Sequence, residues 1–149
     1  MVSRIVTSVN RISPPPPAIF VVLAAIAAIE GLALAGYAAF DAVEAVRVGA
    51  TGPADVSNGP ALVGQIVILA VFGAGLVFIG LGWWRTRRWP RAPFLLAQLI
   101  ALVIGVPLAS AAGGVVRVVG IAMVVGALAG IVLVFSPTVT KSFTDPPVV

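Results

Sequence analysis

The side chain with the greatest potential for chemistry in this sequence is Glu30, which lies inside a long run of apolar residues. It stands about 13 residues into that run, roughly 18 Å along a helix that rises 1.5 Å per residue. A carboxyl group this deep in a membrane marks a functional site by default, because it can bind and release protons. The alternative is a protonated carboxyl that hydrogen-bonds a neighbouring helix and fixes the register of a bundle. Since the apolar runs of the sequence contain no basic residue that could pair with Glu30, the packing role is favoured.

Two amide side chains are candidate partners for Glu30. Gln65 lies near the start of the second apolar run, and Gln98 lies within the first few turns of the third. Hydrogen bonds between membrane helices are worth about 0.6 kcal/mol on average. We therefore expect these amides to pack helices together rather than to form a substrate site.

Three further polar residues follow Glu30 on one face of the same helix. Tyr37, Asp41 and Glu44 recur at helical spacing after it. Such a stripe could line a polar path that leads to Glu30 from outside the membrane. Because the two acids lie beyond the apolar run, the favoured interpretation is one carboxyl facing the bundle below two solvated acids.

The chain contains neither cysteine nor histidine. It therefore cannot form a disulfide, a Cys/His zinc site, a His-ligated haem site, or a nucleophile activated by histidine. Glycine-rich phosphate loops, paired acids and metal-ligand spacings are also missing from the sequence. We expect no enzymatic activity, no cofactor and no metal.

The composition is that of an integral membrane protein. Hydrophobic residues make up 60% of the 149 residues and charged residues 9%, against roughly 45–50% and 25% in soluble domains. Four apolar runs lie at residues 18–40, 61–84, 92–113 and 118–135. Each has roughly the 17–25 residues that a transmembrane helix needs, which predicts an all-α bundle of four transmembrane helices at residues 18–135. We expect a cytoplasmic tail with a Pro-rich spacer at residues 1–17 and a disordered cytoplasmic tail at residues 136–149.

Basic residues are distributed unevenly between the two ends of the predicted bundle. One end carries Arg4, Arg11, Arg85, Arg87, Arg88, Arg91 and Lys141, and the other carries Arg47 and Arg117. The positive-inside rule makes the first end cytoplasmic, so we expect both termini to lie in the cytoplasm. The membrane is expected to be the plasma membrane. Trp83, Trp84 and Trp89 flank the basic link and are expected to anchor it among anionic lipid headgroups. A link this short is not expected to bind nucleic acid.

Small residues recur at every fourth position of the predicted fourth helix, at Ala122, Gly126 and Gly130. Such residues allow two helix backbones to approach closely, as in the GxxxG motif. We expect this stripe to pack against another helix, in the same bundle or in a second copy. Gly120 lies off the stripe and is expected to tolerate a larger side chain better. Pro107 is expected to kink the third helix.

Three segments resemble small, mostly uncharacterised four-span membrane proteins of actinobacteria. They are residues 29–32 around Glu30, the WWRTRRWPR link at residues 83–91, and residues 96–99. This resemblance implies a location in the cell membrane and no particular activity. Glu30 alone carries a second resemblance, to the small multidrug resistance transporters, which also have four short spans and a carboxylate in the first.

These observations predict a non-enzymatic accessory, assembly or scaffold component of a membrane complex. Its expected partner is another membrane protein or a second copy of the chain. The alternative is a proton-coupled transporter of small lipophilic cations that uses Glu30 as its coupling acid. An enzyme that acts on lipids is disfavoured, because the sequence offers no candidate catalytic constellation.

Overall fold

The computed structural model describes residues 16–48 and 59–144, and these residues form helices joined by short links. The helices are α1 Ala18–Val48, α2 Gly59–Trp84, α3 Arg91–Ala109, α4 Gly114–Val134 and α5 Pro137–Thr144. The first four have mean hydropathies between 2.2 and 2.6 and are long enough to cross a membrane. The prediction of an all-α protein with four helices able to span a membrane is confirmed for the described residues.

The link between α3 and α4 comes earlier than hydropathy predicts. α3 ends at Ala109 and α4 begins at Gly114, whereas the predicted spans end at residue 113 and resume at residue 118. Residues 110–113 form the turn, and because they are small and mostly apolar the hydropathy does not drop there. Pro107 lies in the last turn of α3, so the expected kink falls where the helix is already ending.

The segment after α4 forms a helix rather than the disordered tail expected from the sequence. The backbone N–H of Val139 donates to the Ser136 hydroxyl at 3.5 Å, and Pro137 takes the first helical position, where no N–H is needed. Val139 is fully buried against the bundle, and this contact holds α5 in place. Residues 1–15 and 145–149 of the predicted tails lie outside the described residues.

Two antiparallel helix hairpins account for most of the packing. In the first, α1 crosses α2 where Gly31 meets Gly73, and a Cβ atom at either position would lie 2.6–2.7 Å from the carbonyl oxygen of the other. In the second, α3 crosses α4 at Gly120, where a Cβ atom would overlap the backbone of Leu108 and Ala109. Only glycine lets the backbones come this close.

The hairpins meet in an aromatic cluster at the end of the bundle where α2 passes into α3, which we call the link end. Trp83 of α2 is fully buried between Phe20 of α1 and Phe94 of α3, with ring centroids 5.8 and 5.9 Å apart. Val134 of α4 and Val139 of α5 belong to the same cluster. Rings at these separations attract one another beyond the gain from burial. The cluster therefore joins the two hairpins at the link end.

Candidate intramembrane site

Glu30 and Gln98 form a hydrogen bond that joins the two hairpins away from the aromatic cluster. Gln98 Nε2 on α3 donates to Glu30 Oε2 on α1 at 2.8 Å. Gln98 is fully buried and Glu30 is partly buried, so the bond lies inside the bundle. Of the two amides considered as partners for Glu30, the structure pairs it with Gln98.

The second polar atom of the Gln98 amide has no partner. Its Oε1 is buried and accepts no hydrogen bond from any described residue, which costs on the order of 1–3 kcal/mol. An ionised Glu30 accepts a bond from Nε2, and a protonated Glu30 retains an oxygen that accepts this bond and gains an O–H group that can donate. The pair can therefore accommodate either charge state of the carboxyl.

Small residues on α4 make room for this pair. A Cβ atom at Gly126 would lie 3.4 Å from Glu30 Oε1. A Cβ atom at Gly130 would lie 3.2 Å from Gln98 Cδ. Ala122, the third member of the predicted stripe, is exposed and lines a cavity beside Glu30. Larger side chains at the two glycines would press on the pair.

Among the glycines of α4, Gly120 lies closest to another helix, and the sequence placed it off the packing stripe. Its ideal Cβ position coincides with the backbone of α3 at Leu108 and Ala109. This close approach argues against the expectation that a larger side chain is tolerated better at Gly120 than at Gly126 or Gly130. The residues of α4 that are buried are Gly120, Ala127, Gly130 and Val134. This face is rotated from the predicted stripe and shares only Gly130 with it.

A cavity of about 430 Å³ lies beside Glu30. All four long helices contribute to its wall, with Leu34, Phe72, Ala101 and Met123 among the lining residues. Glu30 is the one ionisable group among the described residues that line it. Small-molecule pockets have volumes of about 300–1,000 Å³ and are mostly apolar with a few polar groups. The cavity can therefore receive a small apolar molecule or apolar side chains from a neighbouring helix.

The remaining polar residues of α1 do not extend the site. The Gln65 Nε2 of α2 donates to Asp41 Oδ2 at 2.9 Å, and this bond is exposed. Tyr37 is exposed and has no hydrogen bond to a described residue. Neither Tyr37 nor Asp41 lines the cavity. The structure therefore does not join the predicted polar stripe into a path that reaches Glu30.

The basic link contains both buried and exposed tryptophans. Trp83 was expected to anchor the link among lipid headgroups, but it is 0% exposed because the aromatic cluster surrounds it. Trp84 and Trp89 are 55% and 44% exposed. The Arg91 guanidinium donates to the carbonyl oxygen of Val134 at 3.4 Å, which satisfies a carbonyl at the end of α4.

The fold and the site define a multi-pass α-helical membrane protein. No group of three or more His, Cys, Asp or Glu residues that could hold a metal occurs in residues 16–48 and 59–144. No protein-family model matches the chain, and neither a curated protein nor a solved structure matches it. The argument for function therefore depends on the site itself.

Proposed function

We propose that this membrane protein is a non-enzymatic accessory, assembly or scaffold component of a complex in the plasma membrane. The observation that carries the proposal is the Glu30–Gln98 bond, because it uses a carboxyl group inside the bundle to join two helices. Gln65 and Asp41 likewise bond to each other, between α1 and α2. Polar side chains paired in this way serve helix packing.

The cavity supports the same proposal. The cavity of about 430 Å³ is an open groove between the hairpins, because Ile29 and Phe72 on its wall are exposed. Apolar side chains from a transmembrane helix of another protein would fill this space and bury more apolar surface.

Affinity purification in mild detergent, followed by mass spectrometry, tests this proposal. We expect the wild type to recover a larger complex in which a second membrane protein is stoichiometric. Ala122→Leu, on the cavity wall, should reduce that recovery. Gly36→Leu is the matched control, because a Cβ atom at Gly36 has no neighbour within 4 Å. Recovery of the chain alone, or equal losses in both variants, would contradict the proposal.

Proton-coupled transport of small lipophilic cations is the second candidate function. The observation that favours it is the placement of Glu30 as the one ionisable group on the wall of a cavity of small-molecule size. In this alternative the carboxylate binds a cation within the apolar cavity and releases it on protonation. The Glu30–Gln98 bond would then have to break in each cycle.

Binding of tetraphenylphosphonium, measured from acidic to alkaline pH, separates the two functions. Transport requires wild-type binding that strengthens as pH rises, and no binding by Glu30→Gln, because an amide cannot ionise. The accessory role requires no binding by either protein, and both proteins should fold. Wild-type binding with that pH dependence would overturn the accessory proposal.

The proposed orientation places both termini and the link between α2 and α3 in the cytoplasm. Arg4 and Arg11, which contribute to this assignment, lie outside the described residues. Cysteines introduced at Ser57, also outside them, and at Thr86 should label oppositely with a membrane-impermeant thiol reagent. Ser57→Cys should react in intact cells and Thr86→Cys only after lysis, and the reverse result would invert the orientation.

A further inference from the structure

A small pocket lies at the turn that follows α2. Its lining residues are Phe78, Leu81, Gly82, Arg85, Arg87 and Trp89, and its volume is about 200 Å³. Two arginines therefore face the same small space. Two like charges that share a pocket repel each other, and an anion bound between them would offset this repulsion.

The turn itself brings the two arginines together. Thr86 N–H donates to the Trp83 carbonyl at 2.9 Å, and Arg87 N–H donates to the Gly82 carbonyl at 3.0 Å. These two bonds form a Schellman motif with Thr86 at the left-handed position, where φ is 50°. Glycine is the usual residue there, and a branched side chain is strained. Strain of this kind persists where a function requires the geometry.

Trp89 closes the pocket from the other side. Its ring lies against Phe78, with centroids 5.0 Å apart. A Cβ atom at Gly82 would lie 2.8 Å from the Trp89 ring and 2.5 Å from Pro90, so only glycine leaves room for the ring there. The indole is therefore held in place rather than free to turn.

Within residues 16–48 and 59–144, no acidic side chain pairs with the arginines of the pocket. Residues 59–144 contain neither Asp nor Glu. Glu30 bonds Gln98 inside the bundle. Phe20 contacts Trp83 at the link end, and Asp41 lies about 30 Å further along α1. Because salt screens charge interactions beyond about 8 Å, Asp41 is too far away to neutralise the arginines. Within the described residues, the side chains of Arg85 and Arg87 have no hydrogen-bond or ion-pair partner.

We propose that Arg85, Arg87 and Trp89 bind the phosphate group of an anionic membrane lipid. Guanidinium groups pair with phosphate through parallel hydrogen bonds, and a tryptophan at the interface suits the boundary between headgroup and acyl chain. Phe78 and Leu81 precede the arginines on α2, within a helix long and apolar enough to cross a membrane, and both are exposed. These two side chains can contact the acyl chain of a lipid, whereas a free phosphate ion has no apolar part to contact them. The lipid is therefore the favoured source of the phosphate.

Quenching of tryptophan fluorescence by brominated lipids tests this site in the full chain reconstituted in vesicles. Brominated phosphatidylglycerol and brominated phosphatidylcholine are compared at equal mole fraction, and we expect phosphatidylglycerol to quench more strongly. The excess of quenching by phosphatidylglycerol over quenching by phosphatidylcholine should disappear in the double variant Arg85→Gln/Arg87→Gln. In the wild type, this excess should weaken as salt is added. It should also fall in Trp89→Phe, because Trp83 is buried and Trp84, although exposed, does not line the pocket.

Arg117→Gln is the charge-matched control, because Arg117 lies near the start of α4, at the opposite end of the bundle from the link. It should keep the full excess. No excess in the wild type, or an equal loss in Arg117→Gln, would overturn the proposal. Complete competition by inorganic phosphate at the lipid's concentration would assign the site to soluble phosphate and overturn its assignment to a lipid. If the double variant does not fold, the salt dependence of the wild type still tests the proposal. An excess of quenching that does not change with salt would overturn it.

Discussion

The contacts within each hairpin differ sharply from the contacts between the hairpins. Inside the first hairpin, Gly31 and Gly73 bring two backbones almost into contact, and Gly120 does the same in the second. Between the hairpins, away from the link end, lie a cavity and the single Glu30–Gln98 bond. Backbone approach stabilises the hairpins, whereas their relative position depends on one polar pair and the aromatic cluster.

This difference indicates where the molecule can adapt. Close-packed backbone contacts have essentially one arrangement, because a shift of either helix loses many small attractions. A hydrogen bond beside a cavity can break and form again at the cost of about 1 kcal/mol in a membrane. We call the contact region around Glu30, Gln98 and the cavity the seam between the hairpins. We expect a partner or a ligand to change the structure at this seam and to leave each hairpin intact.

The largest effect should come from a side chain forced into the first hairpin. Gly73→Leu should destabilise the fold by about 3 kcal/mol or more, because neither backbone can yield. The control is Gly75→Leu, two positions along the same helix, where a Cβ atom has no neighbour within 4 Å. Thermal denaturation in detergent should show a large drop for Gly73→Leu alone. Equal drops would remove the distinction between packed and open faces of α2.

The second hairpin should respond more to Gly120 than to Gly126. Gly120→Leu should also cost about 3 kcal/mol or more, because its Cβ position overlaps the backbone of Leu108 and Ala109 on α3. Gly126→Leu meets only Glu30 Oε1, at 3.4 Å from its Cβ position, and should cost about 1 kcal/mol. Denaturation of the two variants side by side measures the difference. A greater loss for Gly126→Leu would restore the packing stripe predicted from the sequence.

At the seam, the loss should be smaller and should depend on hydrogen bonding. Glu30→Leu removes the bond to Gln98 and should destabilise the bundle by about 1 kcal/mol. Glu30→Gln keeps a side chain of similar shape that can bond the amide, so it should be close to the wild type. Their unfolding midpoints provide the comparison. Equal losses in both variants would mean that charge, and not hydrogen bonding, matters at this position.

The smallest effect is expected at the turn after α2. Thr86→Gly should raise stability by about 0.5 kcal/mol, because glycine relieves the left-handed strain but gains freedom in the unfolded chain. Thr86→Ala retains a Cβ atom and should show no such gain. Calorimetry in detergent can compare the two variants. A gain in Thr86→Ala would place the cost in the hydroxyl group instead of the backbone.

Much of the fold could be predicted from the sequence because hydropathy reports directly on membrane-spanning helices. The four apolar runs correspond to α1–α4. The errors occur where hydropathy carries little information. Residues 110–113 form a turn although they are mostly small and apolar, and the Ser136–Pro137 pair starts a helix instead of only ending one.

The site was less predictable, because it depends on helix rotation. Glu30 and both candidate amides could be named, but only the arrangement of the two hairpins brings Gln98 of α3 within reach of Glu30. The same limit explains Gly120, since a spacing of four residues does not show which face of α4 meets α3. Trp83 stands beside Trp84 in the sequence, yet one is buried and the other exposed. The cavity, formed by gaps between four helices, has no sequence signal.

Distances between spin labels test most directly the claim that the Glu30–Gln98 bond sets the position of the hairpins. Cysteines replace Val43 and Ser110, which are exposed and lie on different hairpins away from the link end. A second pair, Val43 and Val63, reports on the first hairpin alone. We predict that Glu30→Leu broadens the first distance distribution and leaves the second unchanged, while Glu30→Gln alters neither. A first distribution that stays narrow in Glu30→Leu would contradict the claim.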